Sequence, residues 1–348
     1  MKKAALIVGA RPQFIKTAPL ILELGRFYQT VLIHTGQHYD FAMSDSFFGD
    51  LKLPHPDYHL NSPAGSDGRR TGRMIEGLES VLNFENPDFA VVVGDTNSTL
   101  AGALAASRLR IPVVHVEAGV RSKDKYLPEQ INRVVTDSLA DCFLCPTPSA
   151  VENLKNEGKK GNIFDTGDVI YDCLRMFADR IPSRPKISID LPSRFVLATL
   201  HRAEAVDNVE NLSNILRSMQ TSPFPVILPL HPRTGKMIVR FGLSGLLPDK
   251  VIIVNPVGYL NFLSLLKSCE FVVSDSGGVQ REAVFMNKRV IVPRPETEWR
   301  ELQESGWVTI AGYEFELERS MSEPPERRLD NLMRPAANYM IEKMRRLF

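Results

Sequence analysis

Acidic and imidazole side chains in this chain stand directly after short runs of bulky apolar residues. Asp95 follows Phe89–Val93 through Gly94, Glu117 follows Val113–Val116, and Glu129 opens a segment at Pro128. His201 and His231 come just after Phe195–Thr199 and Val226–Leu230. Such groups can take and return protons. Taken singly, each has an ordinary structural explanation: Asp95 would cap a helix beginning near Ser98, Glu129 would favour a helix dipole, and the histidines would sit in turns. Glu117, placed straight after Val-Val-His-Val, has no routine capping work. The coincidence of all five at element ends points to a site. A further segment, Asp275-Ser276-Gly277-Gly278-Val279-Gln280, sits between an apolar run and a helical stretch. Its glycines allow close backbone approach, and a helix N-terminus offers free N–H groups to phosphate.

The elements that hold these residues can be read from the apolar runs. Ala4–Val8, Val31–His34, Phe89–Val93, Val113–Val116, Phe195–Thr199, Val226–Leu230, Val251–Val254, Phe271–Val273 and Val290–Val292 do not alternate polar with apolar. They therefore read as strands covered on both faces, as in a parallel sheet. Helical stretches lie between many of them, including Ala-rich Leu100–Leu109 and a helix with Thr147 as cap and Pro148 in its first turn, closing at Gly158. This rhythm predicts doubly wound α/β architecture. Ligands of open parallel sheets bind beyond the carboxyl ends of the strands, so the polar residues of both halves are expected to face one interdomain cleft. The rhythm breaks in the Pro- and Arg-rich stretch 179–194. The expected organisation is a first domain over 1–180, a second over 194–330, and a C-terminal helix over 331–348 that packs back on the first.

Composition narrows the function. Lys plus Arg is 42 and Asp plus Glu is 41 in 348 residues, so no bulk charge favours nucleic acid or an anionic membrane. No apolar run is long enough to span a bilayer, and the one at the N-terminus stops at Gly9, too early for a secretory core. A cytoplasmic protein is expected. Cys142 and Cys145 form a C-x-x-C pair, but Cys173 and Cys269 supply no second pair, and buried structural thiols are expected. His55 and His59 are four apart, with Pro54 and Pro56 spoiling any helical face for a metal. Neither G-x-x-x-x-G-K-[ST] nor G-x-G-x-x-G occurs, which removes the usual support for ATP hydrolysis or dinucleotide binding.

Six motifs occur in order: Gly9-Ala10-Arg11-Pro12-Gln13-Phe14-Ile15-Lys16, Gly94-Asp95-Thr96-Asn97-Ser98-Thr99, His115-Val116-Glu117-Ala118-Gly119, Pro128-Glu129-Gln130-Ile131-Asn132-Arg133, His201-Arg202-Ala203-Glu204 and Asp275–Gln280. In this combination the chain resembles the non-hydrolysing UDP-N-acetylglucosamine 2-epimerase family, up to about Ser320. The resemblance implies two Rossmann-like domains of the GT-B type, a UDP-sugar substrate, a homodimer, and no added cofactor or metal. It implies a reaction in which a base takes the C2 proton while UDP leaves C1, giving a 2-acetamidoglucal, before UDP returns and a proton arrives on the opposite face. Asp95, Glu117 and Glu129 match the acid–base positions, with His201 beside them. Arg11, Lys16, Arg133, His231 and the Ser276-Gly277-Gly278 turn match positions that bind the nucleotide sugar, Glu282 the ribose contact and Phe262 the uracil contact.

Three departures stand out. Gln130 replaces the second glutamate of Pro-Glu-Glu, Arg334-Pro335-Ala336-Ala337-Asn338 stands where Gly-Asp-Gly is common, and Thr297-Glu298-Trp299 replaces Thr-Glu-Arg. The last resembles the branch of UDP-2,3-diacetamido-2,3-dideoxyglucuronate 2-epimerases. The alternatives are thus epimerisation of that uronate or, from another class, a GT-B glycosyltransferase, which needs an acceptor but no such carboxylate set.

Overall fold

The computed structural model describes residues 1–37, 53–60, 65–247, 249–317, 329 and 332–348, with the Arg11 side chain outside the description. The chain divides into two compact units, Met1–Met176 with Asp330–Phe348, and Phe177–Leu329.

The first unit runs β1 (Lys3–Val8), α1 (Arg11–Phe27), β2 (Gln29–His34), β3 (Tyr58–His59), α2 (Asp67–Glu85), β4 (Phe89–Val93) and α3 (Asn97–Arg108). It continues with β5 (Val113–Val116), α4 (Pro128–Leu139), β6 (Cys142–Cys145), α5 (Pro148–Asn156), β7 (Asn162–Asp165) and α6 (Val169–Phe177). Among the described residues the strands form one sheet in the order β3-β2-β1-β4-β5-β6-β7, every pair parallel. Every residue of β4 and β5 is buried, as helices on both faces of a parallel sheet require. Strand order reverses between β1 and β4, the place where such sheets open a crevice at their carboxyl ends. At that point a Cβ on Gly9 would lie 2.0 Å from both Ser98 Oγ and Thr35 Oγ1, so only glycine lets the turn after β1 sit against the start of α3.

The second unit runs β8 (Val196–Thr199), α7 (Ala203–Val206), α8 (Val209–Met219), β9 (Val226–Pro229), α9 (Pro232–Arg240) and β10 (Val251–Val254). It continues with α10 (Tyr259–Ser268), β11 (Val272–Ser274), α11 (Gly277–Phe285), β12 (Val290–Val292), α12 (Arg300–Glu304) and β13 (Val308–Ile310). Its parallel sheet has the order β10-β9-β8-β11-β12-β13 among the described residues, reversing between β8 and β11. In α8, Leu212, Ile215, Leu216 and Met219 recur at helical spacing and are fully buried against Val196, Ala198, Leu228 and Val273 of the strands. Each such side chain contributes roughly 1.5–3 kcal/mol by leaving water.

The chain ends in α13 (Ala337–Leu347), which packs on α1 of the first unit. It begins later than the helix read from the sequence over 331–348, because Pro335 disfavours helical backbone at Arg334. Asp172 of α6 accepts the Ala336 and Ala337 N–H groups at 2.6 and 3.0 Å and so caps α13 from outside. Arg334, where Gly-Asp-Gly is common, pairs with Asp165 at the end of β7. Among the described residues no helix is long and apolar enough to cross a membrane.

Candidate functional site

In the first unit the sequence-predicted residues collect at the carboxyl ends of β4 and β5 and along α4. Asp95 lies just beyond β4. It does not cap α3. Thr96 does, accepting the Thr99 N–H at 3.3 Å, which leaves the Asp95 carboxylate to pair with buried Arg133 of α4. Asn132 fixes the same corner by donating to the Asp95 carbonyl at 2.9 Å. Arg133 Nη1 is buried with no hydrogen-bond partner among the described residues, an arrangement that costs roughly 1–3 kcal/mol unless another group satisfies it. Glu129 stands four residues before Arg133, in the first turn of α4 and on the same face.

Glu117 is held differently. Its backbone has φ +67°, in the left-handed region that a non-glycine residue adopts at a cost of roughly 1–2 kcal/mol. The Glu117 and Ala118 N–H groups both donate to the Leu144 carbonyl of β6, at 3.1 and 3.3 Å. That turn swings the carboxylate, 5% exposed, to 3.5 Å from Lys16 Nζ of α1. Lys16 is in reach because α1 starts straight after Gly9-Ala10. Gln13 locks that start: its Oε1 accepts from Gly9 and Ala10 N–H, at 2.8 and 3.1 Å, and its Nε2 donates to the Val93 carbonyl at 2.8 Å and Thr99 Oγ1 at 3.1 Å. One glutamine thus ties the turn after β1 to the end of β4. Gln130, the departure from Pro-Glu-Glu, accepts the Ser122 N–H at 2.8 Å and holds the loop after β5, work a neutral amide does without a second buried charge.

In the second unit His201 follows β8, and His231 caps α9 by accepting the Arg233 N–H at 3.2 Å. Their rings lie 5.3 Å apart. Asp275, fully buried after β11, accepts the His201 and Arg202 N–H groups at 2.7 and 2.8 Å, and its other oxygen lies 3.3 Å from His201 Nδ1. Burial works to raise the Asp275 carboxyl, but the hydrogen bonds and charge of His201 outweigh it and hold the carboxyl below its usual range. Ser276 caps α11, with Gly277 and Gly278 in its first turn. Glu282, on the same helix, accepts from Tyr259 Oη at 3.0 Å. Tyr259 opens α10, the helix that carries Phe262. Trp299 is 3% exposed, stacks beneath the Arg281 guanidinium 3.7 Å away, and its Nε1 would lie 2.7 Å from a Cβ on Gly277. It is packing under the Gly-Gly turn.

Asp137, His115, Gln13 and Tyr259 also hold polar contacts around these residues, although residue type and spacing do not mark them as site residues. Gln13 and His115 fall inside two of the six sequence motifs, as Asp275 does in a third, and polar side chains at or near strand ends are the signal that could find them.

A family model described as UDP-N-acetylglucosamine 2-epimerase matches residues 23–323. The chain belongs to that family. A UDP-N-acetylglucosamine 2-epimerase homolog of Methanococcus maripaludis is 45% identical over 316 residues, spanning 89% of this chain and 88% of its own. The UDP-2,3-diacetamido-2,3-dideoxy-D-glucuronate 2-epimerase of Pseudomonas aeruginosa is 45% identical over 319 residues, with the same 89% and 88%. The crystal structure of Methanocaldococcus jannaschii UDP-GlcNAc 2-epimerase in complex with UDP-GlcNAc and UDP has a TM-score of 0.84 at 36% identity, over 99% of this chain and 100% of the other. The two parallel sheets are accordingly Rossmann-like domains of the GT-B type, and the protein is an isomerase of the non-hydrolysing epimerase kind.

The cysteines, expected from the sequence to be buried structural thiols, take no part in the contacts described above. All four are free and buried. Burial pushes the Cys142 and Cys269 thiols up to about 12 and raises Cys145 in the same direction. In mildly alkaline buffer the native protein should therefore leave these three unlabelled by iodoacetamide, while guanidinium unfolding exposes them. Mass spectrometry that finds the native protein alkylated at Cys142 or Cys145 would contradict the inert-thiol account.

Proposed function

We propose that this protein interconverts UDP-N-acetylglucosamine and UDP-N-acetylmannosamine by eliminating and re-adding UDP. A carboxylate takes the C2 proton as the C1–O bond breaks, UDP leaves with the bonding pair, and the C1–C2 double bond of a 2-acetamidoglucal forms. UDP then adds back to C1 while a second acid delivers a proton to the opposite face of C2. The observation that carries this reading is the set of three carboxylates in the first unit: Asp95 paired with Arg133, Glu117 beside Lys16, and Glu129 on the Arg133 face of α4. Transfer of a sugar by a GT-B enzyme would need an acceptor and no such set. Inversion at carbon needs more than one acid–base group. Arg11, Lys16 and Arg133 are assigned to charge on the departing diphosphate, together with His201, His231 and the Ser276–Gly278 turn. Glu282 is assigned to the ribose and Phe262 to the uracil. Neither a nicotinamide nor a metal has a role in this scheme. The protein is assigned to the cytoplasm as a homodimer, for which the exposed Ile131 and Val134 on α4 offer an apolar face.

The second reading is epimerisation of UDP-2,3-diacetamido-2,3-dideoxyglucuronate, favoured by the 45% identity to the Pseudomonas aeruginosa enzyme and by Thr297-Glu298-Trp299. A direct competition decides between them: both sugars are supplied together in heavy water, and deuterium entry at C2 is followed by proton NMR. The first reading expects the larger specificity constant for UDP-N-acetylglucosamine. Turnover of the uronate alone would replace it with the second. Because Trp299 is buried under Arg281, Trp299→Arg is expected to lower both constants together rather than exchange their order.

A further inference from the structure

Beneath the three carboxylates lies a buried ionic cluster that the proposed reaction does not use. His115 and Asp137 are both 0% exposed and joined at 2.6 Å through Nδ1 and Oδ1. His115 Nε2 is 2.8 Å from the Gly94 carbonyl, one residue before Asp95. Asp137 Oδ2 accepts the Gly119 N–H at 3.1 Å, two residues after Glu117, and lies 2.7 Å from Arg121. Arg121 in turn reaches Glu157 at 2.7 Å.

The covalent positions give this cluster its meaning. His115 lies inside β5 two residues before Glu117, which turns the chain just after the strand ends at Val116. Asp137 follows Glu129 and Arg133 at successive helical spacings of four, so all three share one stripe of α4. The chain Gly94–His115–Asp137–Gly119 thus joins the segments that carry Asp95, Glu117 and Glu129. We propose that His115 and Asp137 are positioning residues that fix the mutual placement of these three carboxylates, without touching the sugar themselves. The inference rests on the acid–base reading of the site.

Two physical points support it. A buried ion pair adds little net stability over apolar residues of the same volume, so the geometry it imposes is the better account of its presence. Glu117 also occupies a left-handed backbone that its surroundings must enforce. His115 pins the strand before it, and Asp137 pins the turn after it. Both His115 nitrogens are engaged, Nδ1 with Asp137 Oδ1 and Nε2 with the Gly94 carbonyl, so the ring is fixed from two sides. Burial works to raise the Asp137 carboxyl, but His115 and Arg121 outweigh it and keep it low.

The test is a double-mutant cycle on the full-length protein, read as kcat, KM and UDP affinity. Asp137→Asn should lower kcat between about tenfold and a hundredfold, the range for misplaced reacting groups, with KM and UDP affinity within about threefold. If it acts through Glu117, combining it with Glu117→Gln should lower kcat no further than Glu117→Gln alone. Wild-type turnover in Asp137→Asn, or losses that multiply in the double variant, would overturn the proposal. Should Asp137→Asn not fold, His115→Asn breaks the link to Gly94 while keeping Asp137 on Arg121. In that cycle, losses that fail to multiply support the proposal, and wild-type turnover or multiplying losses overturn it. A wild-type protein that exchanges no C2 proton sinks the assigned reaction and this inference with it. A wild type that exchanges, with multiplying losses, sinks the inference alone.

Discussion

Glu117→Gln is expected to lower turnover by about a hundredfold or more, the usual loss for a missing acid–base group, equivalent to about 2.7 kcal/mol in the barrier. The substitution is nearly isosteric, and glutamine can hold the same turn through its N–H on the Leu144 carbonyl. What changes is the charge beside Lys16, whose partner at 3.5 Å becomes neutral. UDP affinity measured by calorimetry should change little, because the ribose and uracil contacts are assigned to Glu282 and Phe262 in the second unit. Asp95→Asn is a less clean experiment. It removes the partner of buried Arg133 and leaves an unbalanced cation, so its effect mixes chemistry with stability. Turnover of Glu117→Gln close to wild type, with deuterium still entering C2 at the normal rate, would remove Glu117 from the mechanism.

The strands legible in the sequence are those buried on both faces. Ala4–Val8 and Phe89–Val93 are unbroken apolar runs, and Val113–Val116 is interrupted only by His115, because helices cover both sides of them. The strands that composition does not reveal lie at sheet edges. β3 is two residues long, and β7, Asn-Ile-Phe-Asp, is half-buried at every position. β13, Val-Thr-Ile, closes the other sheet with two of its three positions half-buried. An edge strand has one neighbour and less cover, so no continuous apolar run is required of it, although β10 at the other edge of the second sheet keeps one in Val251–Val254.

The site divides along similar lines. Asp95, Glu117 and His201 announce themselves by following strands, since polar residues there escape the sheet's demand for apolar side chains. Asp137 gives no such signal, because in Val-Thr-Asp-Ser it reads as the polar stripe of a helix. Only the approach of β5 shows that it is fully buried on His115. The left-handed backbone of Glu117 is equally hidden, for nothing in its own residue type demands it. Trp299 shows the reverse. Its place in a divergent motif leaves a ligand contact and packing beneath the pocket equally open, and the fold uses it to support the turn at Gly277.

Gly119→Ala should produce a large loss of stability for a single added methyl. Gly119 has φ +79°, which costs an alanine roughly 1–2 kcal/mol. A Cβ there would also lie 2.2 Å from the Ala150 carbonyl oxygen and 2.8 Å from its carbon. Both are backbone atoms at the start of α5, where Thr147 accepts the Ala150 N–H at 3.3 Å, so no side-chain rotation relieves the overlap. Overpacking of that kind adds roughly 1–3 kcal/mol. The glycine is held from both sides as well, its N–H on Asp137 at 3.1 Å and its carbonyl accepting from Asn153 at 2.9 Å. The two terms together give about 3 kcal/mol or more, which in a domain of this size lowers the melting temperature by roughly 10 °C. Gly158→Ala is the matched control: φ is +76°, but a Cβ there meets nothing within 4 Å. It should lose only the backbone contribution of roughly 1–2 kcal/mol. Calorimetric scans in which the two variants melt together would show that the Ala150 contact yields freely, and that Gly119 is needed for its backbone angle alone.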